Sequence, residues 1–300
     1  MDPGGAPSSA PGEVRLRDAE RSENFPVAMR VLPARYRTRL RAIYDVVRVI
    51  DDLGDEGDLT PAERTAALTA FGADLALAWD GGRPEFAVSR ALAPVLAQCP
   101  LPRAAFERLV AANMQDQQVR AYGTWDELLG YCALSADPIG RLVLATFEVD
   151  APEGAPVVRE SDRVCTALQL LEHWQDVAED RARGRVYLPA DDLAAFGVTD
   201  ADLTAPTTSP ALRGLVLHET DRAVALLDEG AAVVGRLRGW ARVAVAGYVA
   251  GGRAAADALR RCGGDVMAGS PRALRRDVAR HAARGLLAHG PWGRIPGRRR

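Results

Sequence analysis

From residue 34 to residue 288, apolar positions recur every three or four residues in nearly every segment, the spacing that gives a helix one buried face. Period-two alternation, the mark of a half-buried strand, is scarce. The pattern predicts helices over 34–53, 61–79, 86–98, 103–120, 124–147, 157–182, 209–237, 239–262 and 271–288. Turn residues separate them: Asp80-Gly81-Gly82-Arg83-Pro84, Pro100 to Pro102, Ala151-Pro152-Glu153-Gly154, and Thr204 to Pro210. None of these breaks is long enough for an interdomain linker. The expectation is an all-α chain with a Pro-, Gly- and Ser-rich disordered arm over 1–20, one domain over 21–288 and a basic tail over 289–300.

Composition narrows the classes. With 300 residues and 48% hydrophobic content, the chain can bury a large core. A formal net charge of −2 argues against general affinity for nucleic acid, and every basic side chain except the histidines is arginine. Cys99, Cys132, Cys165 and Cys262 are scattered, which suggests neither a zinc site nor a disulfide framework and fits a reducing compartment. The first residues lack the apolar core of an export signal, and no uninterrupted apolar run reaches membrane-spanning length. A cytoplasmic location follows as the expectation, with peripheral contact at the inner face of the membrane left open. The tail arginines Arg294, Arg298, Arg299 and Arg300 read more plainly as a solvated terminus than as a lipid contact.

Two acidic clusters change the picture. Asp51-Asp52-Leu53-Gly54-Asp55 and Asp176-Val177-Ala178-Glu179-Asp180 each place carboxylates four residues apart in a predicted helix, where they share a face and repel. Something cationic should compensate them. Mg²⁺ suits such a set, because it takes a few carboxylates together with the phosphate oxygens of a substrate. Around the first cluster, Tyr44, Arg48, Asp51, Asp52 and Asp55 form one helical stripe, leaving Ala42, Ile43, Val46, Val47, Val49 and Ile50 to pack the other faces. The planar fork of Arg48 can hold a phosphate or a neighbouring carboxylate bidentately. Around the second, Gln169, Glu172, Asp176 and Asp180 make a comparable stripe, and Arg185 and Tyr187 follow on a segment free to close over a departing diphosphate.

Simpler readings compete at particular residues. Asp55-Glu56-Gly57-Asp58 by itself reads as a solvated acidic helix end, and Glu179, Asp180, Arg181 and Arg183 read as a surface ion-pair ladder. An EF-hand fails, because Glu56 stands where its glycine is required and Ala62 at its twelfth position. His173 lies out of phase with the stripe, so it is expected to pack or hydrogen-bond rather than bind metal.

Tyr44-x-x-x-Arg48-x-x-Asp51-Asp52-x-x-Asp55, Gln169, Asp176-x-x-x-Asp180 and Gly184-Arg185-Val186-Tyr187-Leu188-Pro189 together resemble the squalene and phytoene synthases. Glu23-Asn24-Phe25-Pro26-Val27-Ala28, Tyr131-Cys132, Ser135-Ala136-Asp137-Pro138-Ile139-Gly140-Arg141 and Trp174-Gln175-Asp176 are similar to the hydroxysqualene synthase branch of bacterial hopanoid pathways. The likeness covers roughly residues 22 to 270. It implies an all-α isoprenoid synthase bundle around a central cavity. Mg²⁺ would be held by Asp51, Asp55, Asp176 and Asp180, with Asp52 and Glu172 as further ligand candidates. Tyr44, Arg48, Tyr187 and Tyr248 would be catalytic positions, and Phe25, Arg48, Gln169, Arg185 and Tyr187 substrate contacts. Phe25, Tyr44, Trp174, Tyr187 and Tyr248 are the candidate aromatic walls for a carbocation. Glu172 stands where the family has asparagine, and Gln175 where the wider family has arginine, as in the hydroxysqualene branch.

The resemblance further implies a lyase that ionises presqualene diphosphate and captures the rearranged cation with water, giving hydroxysqualene and diphosphate without a hydride donor. The alternatives are a squalene or phytoene synthase coupling two prenyl diphosphates, and a noncatalytic scaffold of the same family. Neighbouring enzymes of the pathway are further candidate partners.

Overall fold

The computed structural model describes residues 32–288, and all of its regular structure there is helical apart from one isolated parallel bridge between Ala121 and Val186. The N-terminal arm, the Glu23–Ala28 motif with Phe25, and the basic tail lie outside the described residues. The helices are α1 Ala34–Asp55, α2 Pro61–Asp80, α3 Ala87–Leu96, α4 Arg103–Gln115, α5 Trp125–Ser135, α6 Asp137–Thr146, α7 Pro156–Gln175, α8 Val177–Ala182, α9 Ala190–Phe196, α10 Pro210–Gly230, α11 Val233–Arg236, α12 Gly239–Arg261 and α13 Arg275–Ala288.

Local chemistry explains most of the boundaries. Thr60 and Glu63 form a reciprocal capping box at the start of α2, Pro61 occupies its first turn, and Gly81 closes it in the left-handed conformation at φ 71°. Thr124 and Ser209 cap α5 and α10 by accepting the amides of Glu127 and Leu212.

Three departures from the predicted helices have local causes. The expected 124–147 helix breaks at Ala136, where Asp137-Pro138 starts a new first turn, because Pro138 has no amide hydrogen to donate to the Leu134 carbonyl and continue the ladder. The expected 157–182 helix breaks at Asp176, whose ψ of 18° interrupts the stripe between Glu172 and Asp180. Short α9 was not predicted, since seven residues carry too little periodicity. By length and mean hydropathy alone the run Trp125–Thr146 would suffice to cross a membrane, but Asp126, Glu127, Asp137 and Arg141 interrupt it, as the sequence reading expects. Half of it is buried, and the break at Ala136 and the packing of Leu128, Tyr131, Cys132 and Leu142 make it an internal pair of helices.

The core divides into three apolar clusters. One joins α1 to α2, α3 and α4 through Ile43, Val46, Ile50, Phe71 and Phe106. A second gathers Leu40, Val164, Leu227 and Val249 from α1, α7, α10 and α12, with Phe147 from the end of α6. The third, with Tyr131, Leu170, Trp174, Tyr187 and Leu215, underlies the second acidic cluster. Long α7 runs through the last two and crosses α10 closely at Gly230, where an added Cβ would meet the carbonyl oxygen of Glu160 at 2.7 Å and the amide of Val164 at 2.9 Å.

Because both obstacles are backbone, neither can rotate aside. Gly230→Ala is expected to lower stability by about 1–3 kcal/mol, read from urea denaturation midpoints.

Candidate active site

The two acidic clusters meet through one arginine. Arg185 reaches back to Asp55 with both terminal nitrogens, one at 3.1 Å, so a residue just beyond the second cluster is clamped to the last aspartate of the first. Arg185 is largely buried, while Asp55 keeps about a third of its side chain exposed. Burial works against the arginine's charge, but the bond to Asp55 and the negative field of Asp116 keep its pKa raised.

The segment carrying Arg185 is not the free flap expected from the sequence. Val186 donates its amide to Arg120 at 2.8 Å, Ala190 to Tyr122 at 2.9 Å and Asp191 to Gly123 at 3.1 Å. These bonds lay residues 186–191 along residues 120–123 and fix where Arg185 and Tyr187 emerge.

Beneath Arg185 lies a ring of aromatic groups. Tyr187 stacks on His173 with ring centres 3.6 Å apart, and Tyr131 and Tyr122 pack against Tyr187 at 5.7 and 6.0 Å. Tyr131 donates its hydroxyl to Asp116 at 2.8 Å, and the other carboxylate oxygen of Asp116 is buried with no hydrogen-bond partner. Burial pushes the Asp116 pKa up to about 6 against the opposing pull of Arg185. His173 packs and hydrogen-bonds as expected, its Nε2 lying 3.2 Å from Gln169 and its Nδ1 3.6 Å from Asp180. His173, Asp180, Arg181, Arg185 and Tyr187 line one hollow.

The first wall is the C-terminal part of α1. Arg48 holds Asp52 and Glu56, each at 2.8 Å, which realises the carboxylate option among its two expected uses. Asn113 on α4 donates to Asp51 at 3.3 Å, and Gln117 donates to the carbonyl of Gly54 at 3.0 Å. Gly54 makes that approach feasible, since a Cβ there would lie 2.2 Å from the Asn113 amide oxygen. Tyr44 is half-buried on the same helix.

On the second wall, Glu172 is exposed on α7, and Asp176 accepts a hydrogen bond from Ser270. Gln175 next to it donates to the carbonyl of Pro271. The ion-pair ladder expected among residues 179–183 gives way to longer reaches, with Arg181 bound to Asp200 at 2.5 Å and Glu179 accepting from Ser270 at 3.2 Å. Trp174 is fully enclosed in the core, so it is packing rather than an aromatic wall, because the break at Asp176 leaves it on the inward side of α7. Tyr248 packs in the apolar cluster of α1, α7 and α12 with Leu168, and burial raises its phenol pKa.

The donor set fits a divalent cation. It consists of carboxylates from two walls, and two of them are under electrostatic stress. Burial raises the pKa of Asp52, which Arg48 opposes and Glu56 increases. Burial likewise raises that of Asp176, with Glu179 and Asp180 adding to the effect against the Ser270 bond. A second acidic group, Asp192, His218 and Glu219, brings ligand atoms within 4.8 Å of one another. There the Arg222 guanidinium already donates to Asp192 at 2.7 Å and to Glu219 at 3.0 Å, in the place a metal ion would take.

Asp116, Asn113, Gln117, Tyr122 and Ser270 were missed by the sequence reading, and Tyr131 entered only through the resemblance. Asn113, Asp116 and Gln117 did leave a signal: three polar residues at spacings of three and four on an otherwise half-apolar helix.

The raised pKa of Asp116 has a signed consequence. The folded protein holds this proton more tightly than the unfolded chain does, so the stabilisation is present below pH of about 4 and is lost as pH climbs toward 6. Asp116→Asn is expected to gain stability relative to the unmutated protein across that window, measured by urea denaturation at stepped pH.

Comparison with known proteins converges on one group. The sequence profile of the family described as squalene/phytoene synthase matches residues 19–282. The hydroxysqualene synthase of Rhodopseudomonas palustris is 36% identical over 220 residues, covering 73% of this chain and 72% of that protein. The phytoene synthase of Thermus thermophilus is 33% identical over 226 residues, 75% of each. The crystal structure of squalene synthase HpnC from Alicyclobacillus acidocaldarius superposes with a TM-score of 0.74 at 38% identity, covering 84% of this chain and 93% of that one.

Proposed function

The chain belongs to the squalene/phytoene synthase family, and from that premise we propose that it ionises presqualene diphosphate and adds water to the rearranged cation, releasing hydroxysqualene and diphosphate. The carrying observation is the Arg185–Asp55 clamp, which places a phosphate-binding fork against a cluster of carboxylates beside a buried aromatic ring.

Asp51, Asp55, Asp176 and Asp180 hold Mg²⁺ in this reading, with Asp52 and Glu172 next to them. When bound, the metal supplies charge neutralisation to the diphosphate as its C–O bond breaks. Arg48 and Arg185 turn their forks from carboxylates to phosphate oxygens, for which a planar guanidinium is matched. Both electrons of the C–O bond leave with the diphosphate. The carbocation left behind rests against the faces of Tyr187 and its neighbours, each worth roughly 1–2 kcal/mol when desolvated. Water adds to the rearranged cation, and its proton passes to the departing diphosphate. No reductant enters the balance.

Phytoene synthase relatives of similar identity support the second reading, coupling of two prenyl diphosphates. Purified protein with presqualene diphosphate and Mg²⁺, without NADPH, should yield hydroxysqualene by mass analysis. Formation of presqualene diphosphate or phytoene from prenyl diphosphates alone would favour the coupling reaction instead. Asp51→Asn and Asp176→Asn are expected to cut turnover by at least about a hundredfold while leaving thermal unfolding near that of the unmutated protein, since both groups border solvent. Undiminished turnover in either would remove it from the metal site.

Glu172 adds a negative charge where the family resemblance implies an asparagine. Glu172→Asn is expected to retain or raise turnover and to shift the Mg²⁺ concentration for half-maximal rate. A protein inert in both forms would point to the scaffold role.

A further inference from the structure

Helices α12 and α13 run antiparallel: Arg261 at the end of α12 binds Asp277 at the start of α13, and Arg242 near the start of α12 donates to the carbonyl of Leu286 near the end of α13. The loop joining them touches the metal end of the molecule, through Ser270 on Asp176 and the carbonyl of Pro271 on Gln175. The far end of the pair lies about 35 Å away, the length of the 23-residue α12 at 1.5 Å per residue. It exposes Trp240 at 39%, Val243 at 40% and Leu287 at 77%, the last being the most exposed large apolar side chain among the described residues.

Charge at that end is one-sided. Residues 230–256 and 278–300 contain no aspartate or glutamate, although the whole chain has 40 acidic residues against 38 basic. Arg238 and Arg284 stand beside the exposed apolar groups, and neither has an ion pair among the described residues. Within the same segments Arg236 is paired with Glu160, Arg253 with Asp228 and Arg280 with Asp257, so among the described residues Arg238 and Arg284 are the arginines there left facing solvent beside the apolar groups.

We propose that Arg238, Trp240, Val243, Arg284 and Leu287 form a docking surface for an anionic lipid bilayer. Tryptophan flanked by arginine suits the headgroup boundary, where the indole is part-buried and the guanidinium meets phosphate. Each arginine near an anionic surface strengthens binding about fivefold, and the acid-free sequence following α13 adds Arg294, Arg298, Arg299 and Arg300 to the same attraction. Tyr248 lies two helical turns beyond Trp240 on α12, so the docked end adjoins the apolar cluster in which Tyr248 packs. The surface draws its use from the proposed reaction, whose product is apolar. Vesicle binding needs no turnover, so the docking and the reaction can fail separately.

The test is co-sedimentation of the full chain with vesicles of phosphatidylcholine alone and of phosphatidylcholine with phosphatidylglycerol. Binding is expected on the anionic vesicles and should weaken with added salt. Trp240→Glu and Leu287→Glu should each reduce it by about tenfold, and Arg238→Gln and Arg284→Gln by about fivefold each, with unchanged thermal unfolding. All four variants keep the arginine tail, so binding equal to that of the unmutated protein would overturn the proposal and leave the tail as the contact. Equal binding to both vesicle types would also overturn it. So would a dimer in light scattering that Trp240→Glu dissociates while vesicle binding persists, which would assign this face to a second copy of the chain.

Discussion

Carboxylates gathered to hold a cation repel one another until the cation arrives, and the fold must carry that repulsion. At four-residue spacing on a helix the pairwise cost is a few tenths of a kcal/mol, but it grows as water is excluded. Here arginine meets the cost. Arg48 spans Asp52 and Glu56, and Arg185 clamps Asp55 from the other wall. The same guanidinium groups that stabilise the walls are the ones a diphosphate would recruit. In the proposed reaction resting stability and substrate recognition would share their parts, and neither arginine is replaceable by an apolar residue without exposing the repulsion.

That arrangement requires Arg185 to be held from behind. The amide bonds from residues 186–191 to residues 120–123 set its backbone, and the stack of Tyr187 on His173 sets the floor. Asp116, buried and bonded to Tyr131, contributes a negative field that keeps the guanidinium charged and oriented inward. Burial pushes the Asp116 pKa up to about 6, so its negative field on Arg185 is present above that pH and fades below it. The polar network is local, and apolar packing of α5, α7 and α10 encloses it.

Helix content, the first cluster and its Tyr44–Asp55 stripe were legible because one uninterrupted helix carries them, and spacing alone then fixes which side chains share a face. The second cluster was legible as composition and less so as geometry. The break at Asp176 turns Asp180 relative to Glu172, and a period of 3.6 cannot reveal a backbone angle. Residues that reach the site from elsewhere in the chain were the least visible. Asn113, Asp116 and Ser270 reach the site only through tertiary packing, and no local pattern ties them to residues far along the chain. The bonded segment under Arg185 was hidden for the same reason, since its partners precede it by more than sixty residues.

The α12–α13 pair places unlike chemistry at its two ends. Near its loop, Ser270 and Pro271 touch the acidic wall, where the proposed reaction would place cation and phosphate. Toward its open end the sequence loses every acidic residue and gains exposed Trp240 and Leu287, while the middle of α12 contributes small buried residues, Ala244, Ala246, Ala250, Ala254 and Ala255, that let neighbouring helices approach. A diphosphate and a long hydrocarbon differ in the same sense, charged at one end and apolar along the rest. Orienting such a substrate needs no specific contact with its tail, because the cost of burying the diphosphate away from the carboxylate-bound cation far exceeds any difference among apolar walls. Under the proposed reaction, the polarity of this helical pair would favour one direction of binding, with the diphosphate at the loop end.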